Sequence, residues 1–476
     1  MRHSVKLWTL ILFLSVLIVS PAQLTRADPL DIVDPLEPYN SVRLYRDVQA
    51  IADRYPEIVT LDTIGRSVLG KDIPLLKLGV GRRPLLWIGA LHGREVVTTG
   101  YLLLLAETYA QAYTHYEACG DTPAEKVQWL LDEFVIYIVP MANPDGVDIV
   151  TAGGTAEVYV QNPKTWKSNA NGVNLNRNFP FDWDSYKPKM DHPKNNYLNF
   201  TGVGAGSEPE TQALMALCES VAFEHMVSCH CQGKVLYWRD NKNGPIPGDE
   251  ALARAIAKTT GYRMLPSTTS AAAGWAGGFE NWFRYRYNRP GVCMEFCRYN
   301  TVDFETMAKF YTSDMVNWPK SQNLLFDVMN QLSRLAAAPT ASDVYIDGER
   351  ILFDAYLIGG ANYFKLRDVA YALAGTDKQF EVEWDGDNNA ILLSSGQFYT
   401  PVGGEMAPKG ESSKTPLPTQ SAIILDGQKI RIKACNIDGN NYFRLRDIGK
   451  LFDFNVSWAE EENAVLIETG EGYTED

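Results

Sequence analysis

The segment Leu85–Leu91 (LLWIGAL) is nearly all apolar and too short for a buried helix, which suits a strand covered on both faces. A strand of that kind needs a sheet with helices packed on each side of it. Thr99–Ala112 follows with helical length and composition, Phe134–Val139 (FVIYIV) repeats the strand signal, and Met226–Cys231 reads as a further strand. Ahead of that last strand, Ser207-Glu208-Pro209-Glu210 has the form of a capping box opening a helix whose apolar face is Leu214, Leu217, Cys218 and Val221. Strands alternating with amphipathic helices from Tyr39 to Ala336 predict an α/β domain, with a mixed, largely parallel sheet flanked by helices.

A chain of 476 residues has room for more than one domain. Residues 335–343 (LAAAPTASD) carry no large side chain after Leu335, and 337–343 reads as a linker. Beyond it lies an internal repeat. Asp347-Gly348 and Asn362–Asp368 (NYFKLRD) recur 79 residues later as Asp426-Gly427 and Asn441–Asp447 (NYFRLRD). Residues 344–476 therefore predict a small α+β domain of two units. Each unit is a hairpin, a short helix after Leu-Arg-Asp, and another strand pair near Trp384 or Trp458, with Thr400–Gln420 as a loop between them.

Charge narrows the partners. The chain has 44 Lys+Arg against 58 Asp+Glu, a net of −14, and residues 344–476 hold 12 against 22 of these. Such a balance offers no basic field for a nucleic acid. Arg2 and Lys6 precede an apolar run from Leu7 to Val19 and small residues at Ser20-Pro21-Ala22 and Arg26-Ala27, so residues 1–27 read as an export signal. Its cleavage would release a protein with no further membrane contact, secreted or associated with the cell envelope. Seven cysteines (Cys119, Cys218, Cys229, Cys231, Cys293, Cys297 and Cys435) are too few and too scattered for a disulfide scaffold. Cys293 and Cys297, if on one strand, stand about 13 Å apart, beyond the ~7 Å reach of a bridge.

Candidate metal ligands are few among six histidines. His92 stands one residue past the apolar strand, in His92-Gly93-Arg94-Glu95, where a strand-to-helix turn lets His92 and Glu95 converge. Catalytic zinc commonly takes a His₂Glu set and keeps one position open for water. His230, within the strand Met226–Cys231, fits the third place, while strand alternation sends Cys229 and Cys231 to the opposite face and argues against a Cys-His-Cys cluster.

These residues, with Gly65-Arg66-Ser67, Gly70–Ile73, Asn143-Pro144-Asp145-Gly146, Asn174–Pro180 (NLNRNFP), Ser228–Gly233 (SCHCQG) and Val292–Phe296 (VCMEF) in order, resemble the zinc metallocarboxypeptidases of the carboxypeptidase A type. The resemblance implies a carboxypeptidase-like fold over 39–336 and Zn2+ held by His92, Glu95 and His230. It further implies Glu295 as the general acid/base, Asn176 and Arg177 holding a substrate's terminal carboxylate, and Arg94 as a further contact to it. Lys167 falls where the family usually has an Arg that polarises the scissile carbonyl, and no Tyr stands near Ala273, where digestive members carry a mobile one. Glu280, counted back from Trp282, aligns with the floor of the specificity pocket. Asp28–Pro38 is too short for an inhibitory pro-domain.

Trp166–Pro180 and Ser228–Trp238 look most like the bacterial branch, several members of which cut peptidoglycan stem peptides. The C-terminal repeat resembles the stalk domain named from copper amine oxidases, which implies contact with the cell envelope. It implies no copper, because residues 344–476 contain no His. Three functions follow: an exported carboxypeptidase, a γ-D-glutamyl-diaminopimelate peptidase acting on cell-wall peptides, and a non-catalytic wall-binding protein.

Overall fold

The computed structural model describes residues 31–152, 163–186, 200–240, 244, 246–267, 277–297, 322–332, 337–358, 361–407, 410, 412–419, 421–430 and 432–474. The export signal expected at 1–27 and the position near Ala273 lie outside the described residues. No helix among those described is long and apolar enough to cross a membrane.

The first domain is built on eight strands: β1 (Val59–Arg66), β2 (Asp72–Leu78), β3 (Arg83–Ile88), β4 (Phe134–Val139), β5 (His225–Cys231), β6 (Val235–Asp240), β7 (Arg263–Ser267) and β8 (Gly291–Phe296). They lie in the order β1-β2-β4-β3-β5-β8-β6-β7. The pairs β3–β4, β3–β5, β5–β8 and β6–β7 are parallel, and β1–β2, β2–β4 and β6–β8 antiparallel. The sheet is thus mixed, with its parallel run β4-β3-β5-β8 at the centre.

β3 shows why an unbroken apolar run was required. Alternate residues point to opposite faces, so Leu85 and Trp87 enter one core with the helices Ser41–Arg54 and Val97–His115, while Leu86 and Ile88 enter a second core with Leu214, Leu217 and Phe283. All four are fully buried. A polar residue at any of them would lose its water without a partner.

The expected capping box does not form. The helix runs Pro209–Ser220 with Glu208 at its N-cap and no side-chain capping bond. Both acids turn instead to a loop of the site. Glu208 Oε2 accepts from Asn169 Nδ2 at 2.8 Å, and Glu210 accepts from Asn169 Nδ2 at 3.0 Å and from the Val68 amide at 3.1 Å.

Burial pushes the Glu210 carboxyl up to about 7, against the lowering effect of those hydrogen bonds. The folded chain therefore keeps a proton there that the unfolded chain has released between about pH 4.5 and 7. Stability from this group is full below about pH 4.5 and is lost as pH rises through 7, by about 3 kcal/mol. Glu210→Gln, which cannot ionise, is expected to remove that slope. Urea melts of variant and wild type, compared at pH 4.5 and pH 8, measure it; parallel pH dependences would contradict the assignment.

The C-terminal domain has two four-stranded sheets and a six-stranded one, and its repeats interlock. The hairpin 355–365 of the first unit meets the hairpin 434–444 of the second in one sheet, through Tyr363↔Arg444, Phe364↔Phe443 and Lys365↔Tyr442. Asp343–Ile346 pairs parallel with Ala464–Glu468, and Ala390–Ser395 pairs parallel with Ala422–Leu425, so each remaining sheet also draws on both units. The two short helices, Leu366–Ala372 and Leu445–Phe452, close over a shared core in which Phe380 stacks on Phe452 at 3.9 Å between ring centres.

Part of the segment expected as linker belongs to this domain. Ala338–Pro339 pairs with Leu357 and Tyr356, and the Thr340 amide donates to Ala355 O at 3.0 Å. Small residues there let the chain lie flat along a sheet edge. Trp129 of the first domain packs against the cluster around Tyr356 and Tyr442, and Lys433 Nζ meets Asp132 at 2.8 Å. A cavity of about 1160 Å³ between the domains is lined by none of the candidate site residues.

Candidate metal and active site

The carboxyl ends of β4, β3, β5 and β8 lie side by side, and such ends are where ligands settle in open α/β sheets. Each delivers one motif. His92 and Glu95 follow β3, Asn143 follows β4, His230 lies near the end of β5, and Glu295 near the end of β8, directly beside His230 in the ladder.

The turn after β3 is fixed from the next strand's loop. Asn143 Nδ2 donates to Leu91 O (3.3 Å) and Ser168 O (3.1 Å), and its Oδ1 accepts from the Gly146 amide (2.8 Å). A Cβ on Gly93 would stand 2.4 Å from Gly146 O, so backbone meets backbone there and only glycine fits. The Asn-Pro-Asp-Gly and His-Gly-Arg-Glu motifs are thus two halves of one contact.

His92, Glu95 and His230 converge, all buried. Glu95 Oε1 lies 3.0 Å from His92 Nδ1, Glu95 Oε2 lies 2.9 Å from His230 Nδ1, and the two Nδ1 atoms are 3.1 Å apart. Ligand atoms about 2.05 Å from a tetrahedral ion stand about 3.3 Å from one another, so this triangle is close to the size Zn2+ requires.

The outer nitrogens are held from behind. His92 Nε2 meets Asn174 Oδ1 at 3.0 Å; His230 Nε2 meets Ser228 Oγ at 2.8 Å, Asn176 Nδ2 at 3.3 Å and Glu280 Oε1 at 3.3 Å. Partners of this sort fix ring orientation and raise ligand basicity. Asn174 and Ser228 lie within the motifs named above, yet their roles depend on pairings that their spacing does not reveal.

Charge supports the same reading. Burial holds the His92 imidazole down at about 3. Burial also disfavours a charged His230, but Glu95 and Glu280 outweigh it and raise that ring to about 10. Burial likewise opposes the Glu95 charge, and His92 and His230 overcome this to hold the carboxyl well below its ordinary range. Glu95 and Glu280 thus make the position between the rings one that favours positive charge. A second cluster able to hold a metal, His230, Glu280 and Cys293, shares its histidine with the first.

Glu295 Oε2 is buried with no hydrogen-bond partner among the described residues. Burial raises its carboxyl to about 7, with His230 and Lys167 opposing and Glu95 reinforcing the rise. Lys167 is half-buried; burial lowers its ammonium, Glu95 and Glu295 raise it, and Arg177 and Arg94 lower it. Those five side chains therefore share one electrostatic neighbourhood.

Two residues expected to touch substrate are turned inward. Asn176 Oδ1 accepts from the Phe279 amide at 2.8 Å while its Nδ2 faces His230. Glu280, expected on the floor of a specificity pocket, is only 4% exposed and lies behind His230, in the first turn of the helix Phe279–Tyr287. Glu280→Gln is expected to lower zinc affinity about 10- to 100-fold, measured by competition with a chromophoric chelator. Unchanged affinity would separate Glu280 from the metal site.

A family model described as zinc carboxypeptidase matches residues 44–311. The chain is 27% identical over 278 residues to γ-D-glutamyl-L-diamino acid endopeptidase 1 of Lysinibacillus sphaericus, covering 56% of this chain and 67% of that protein. It is 28% identical over 243 residues to the carboxypeptidase N catalytic chain of Rattus norvegicus, covering 46% of this chain and 50% of that one, half its length. Among solved structures, thrombin-activatable fibrinolysis inhibitor superposes with a TM-score of 0.51 at 16% identity, covering 65% of this chain and 78% of that chain, a likeness of fold.

Proposed function

The chain belongs to the zinc carboxypeptidase family of metal-dependent peptide hydrolases, and on that premise we propose that it cleaves a peptide bond close to a free terminal carboxylate. The observation that carries this reading is the gathering of Arg94, Arg177, Glu95 and Glu295 within electrostatic reach of Lys167. Cations in a site otherwise furnished with acids suit a substrate that brings its own carboxylate.

His92, Glu95 and His230 would hold Zn2+, which when bound would supply Lewis acidity and lower the pKa of a water towards ~7. Glu295 then accepts a proton from the attacking water and returns it to the leaving amine, a role suited to a carboxyl near 7 at neutral pH. Lys167 offers its charge to the oxygen that becomes negative as the carbonyl is attacked. Arg177 and Arg94 orient the terminal carboxylate, Arg177 through a guanidinium braced on Asn176 O at 2.6 Å. Asn176 serves this site by positioning His230.

A second reading narrows the substrate to the γ-D-glutamyl–diamino acid bond of cell-wall stem peptides. The similarity to the Lysinibacillus enzyme, over 67% of its length, favours it. Export, and attachment of the C-terminal domain to the cell envelope, accompany that reading and rest on the sequence patterns. A non-catalytic wall-binding role is disfavoured by the complete ligand trio and Glu295.

Digestion of purified muropeptides beside peptides with varied C-terminal residues, read by mass spectrometry, tests both. Release of single C-terminal residues alone removes the cell-wall endopeptidase reading, and cleavage of muropeptides alone supports it. A protein loaded with zinc that cuts neither substrate overturns the proposal.

A further inference from the structure

We propose that Cys231 and Cys297 form a disulfide that ties the carboxyl end of β5 to that of β8 beneath the metal site. The sulfurs are 3.8 Å apart and both residues are buried. β5 and β8 are paired with Cys231 opposite Phe296, so Cys297 is one residue beyond the partner position. In extended backbone its side chain would leave on the opposite face of the sheet. A φ of +56° at Cys297, unusual for a residue with a Cβ, turns it back, and Cys231, Phe296 and Cys297 share one apolar core.

Neither sulfur belongs to a cluster able to hold a metal among the described residues, so the pair is not a second ion site. Both residues are buried in the folded chain, out of reach of a partner disulfide, so exchange takes place while the strands are still open during folding. One cysteine thiolate attacks the disulfide of a thiol–disulfide exchange oxidant and expels one of its thiols. The second cysteine thiolate then displaces the other. Two electrons pass from the cysteines to that disulfide, and their two protons end on the two thiols it becomes.

The cross-link spans 66 positions and encloses β6, β7 and the helix carrying Glu280. It holds the strand of the ligand His230 against the strand of Glu295, fixing their spacing independently of the edge strands that intervene in sequence. Cys229 and Cys293 lie on the same two strands and are the control pair.

The full chain, isolated from an exporting cell without reductant and alkylated in denaturant, tests this. Seven cysteines less one bridge leave five alkylated thiols, with one cross-linked peptide containing Cys231 and Cys297. Reduction is expected to yield seven and to lower Tm by about 5–10 °C. In Cys297→Ser, Cys231 becomes alkylatable and six thiols react. Seven reactive thiols before reduction, or a cross-link through any other pair, overturns the proposal.

Discussion

Glu295→Gln is expected to bind one zinc per chain as the wild type does, while losing about 10²- to 10⁴-fold in kcat. The substitution keeps shape and removes only the capacity to take up a proton. Among the described residues Glu295 Oε2 makes no hydrogen bond and Oε1 accepts a long one from Cys293 Sγ at 3.8 Å, so a near-unchanged Tm is part of the expected result. The three ligand atoms lie on other residues, which is why metal content and turnover separate in this variant. Zinc analysis of the purified protein, a thermal melt and steady-state rates on the best substrate check all three. Near-normal turnover would move the proton transfer to another group. A lost zinc would instead make Glu295 part of the metal's support.

Lys167→Ala is expected to lower kcat about 10²- to 10³-fold with a smaller change in KM, the loss typical of removing one group aimed at a developing oxyanion. Charge appears on that oxygen only as the bond is attacked, so the interaction is worth more in the transition state than in the bound substrate. Lys167→Arg keeps the charge and adds a second donor direction, and it is expected to recover most of the rate. If Lys167→Ala raised KM alone, the ammonium would be a ground-state contact to the substrate carboxylate, like that assigned to Arg177.

Features that depend on local pattern were legible in the sequence. The all-apolar run at Leu85–Leu91 requires two covered faces, and the structure supplies two cores. His92 and Glu95 need only a turn between them to converge. The spacing of the two NYF-(Lys/Arg)-LRD segments marks the C-terminal units without reference to the rest of the chain. Contacts that join distant segments were not legible. Glu280 reaches His230 across 50 positions because its helix lies over β5, and counting from Trp282 does not say which way it faces. Asn174 holds His92 across 82 positions. The capping box at Ser207–Glu210 has the right local form, but a tertiary partner, Asn169, claims both acids. For the cysteines, the sequence treats Cys293 and Cys297 as one strand, but the strand ends at Phe296 and Cys297 turns off it with φ +56°. The neighbour that matters is across the ladder, and only the pairing of β5 with β8 reveals it.

The parallel pairing of Asp343–Ile346 with Ala464–Glu468 has a mechanical consequence. Past Ala338–Pro339, which is already paired within the domain, the chain enters this strand pair at its 343 end and leaves it at the 468 end, which are opposite ends. Tension between Asp343 and Glu468 therefore runs along the strands, loading the ladder bonds of this pair together instead of peeling them singly. A strand pair wired this way resists being drawn apart from its two ends.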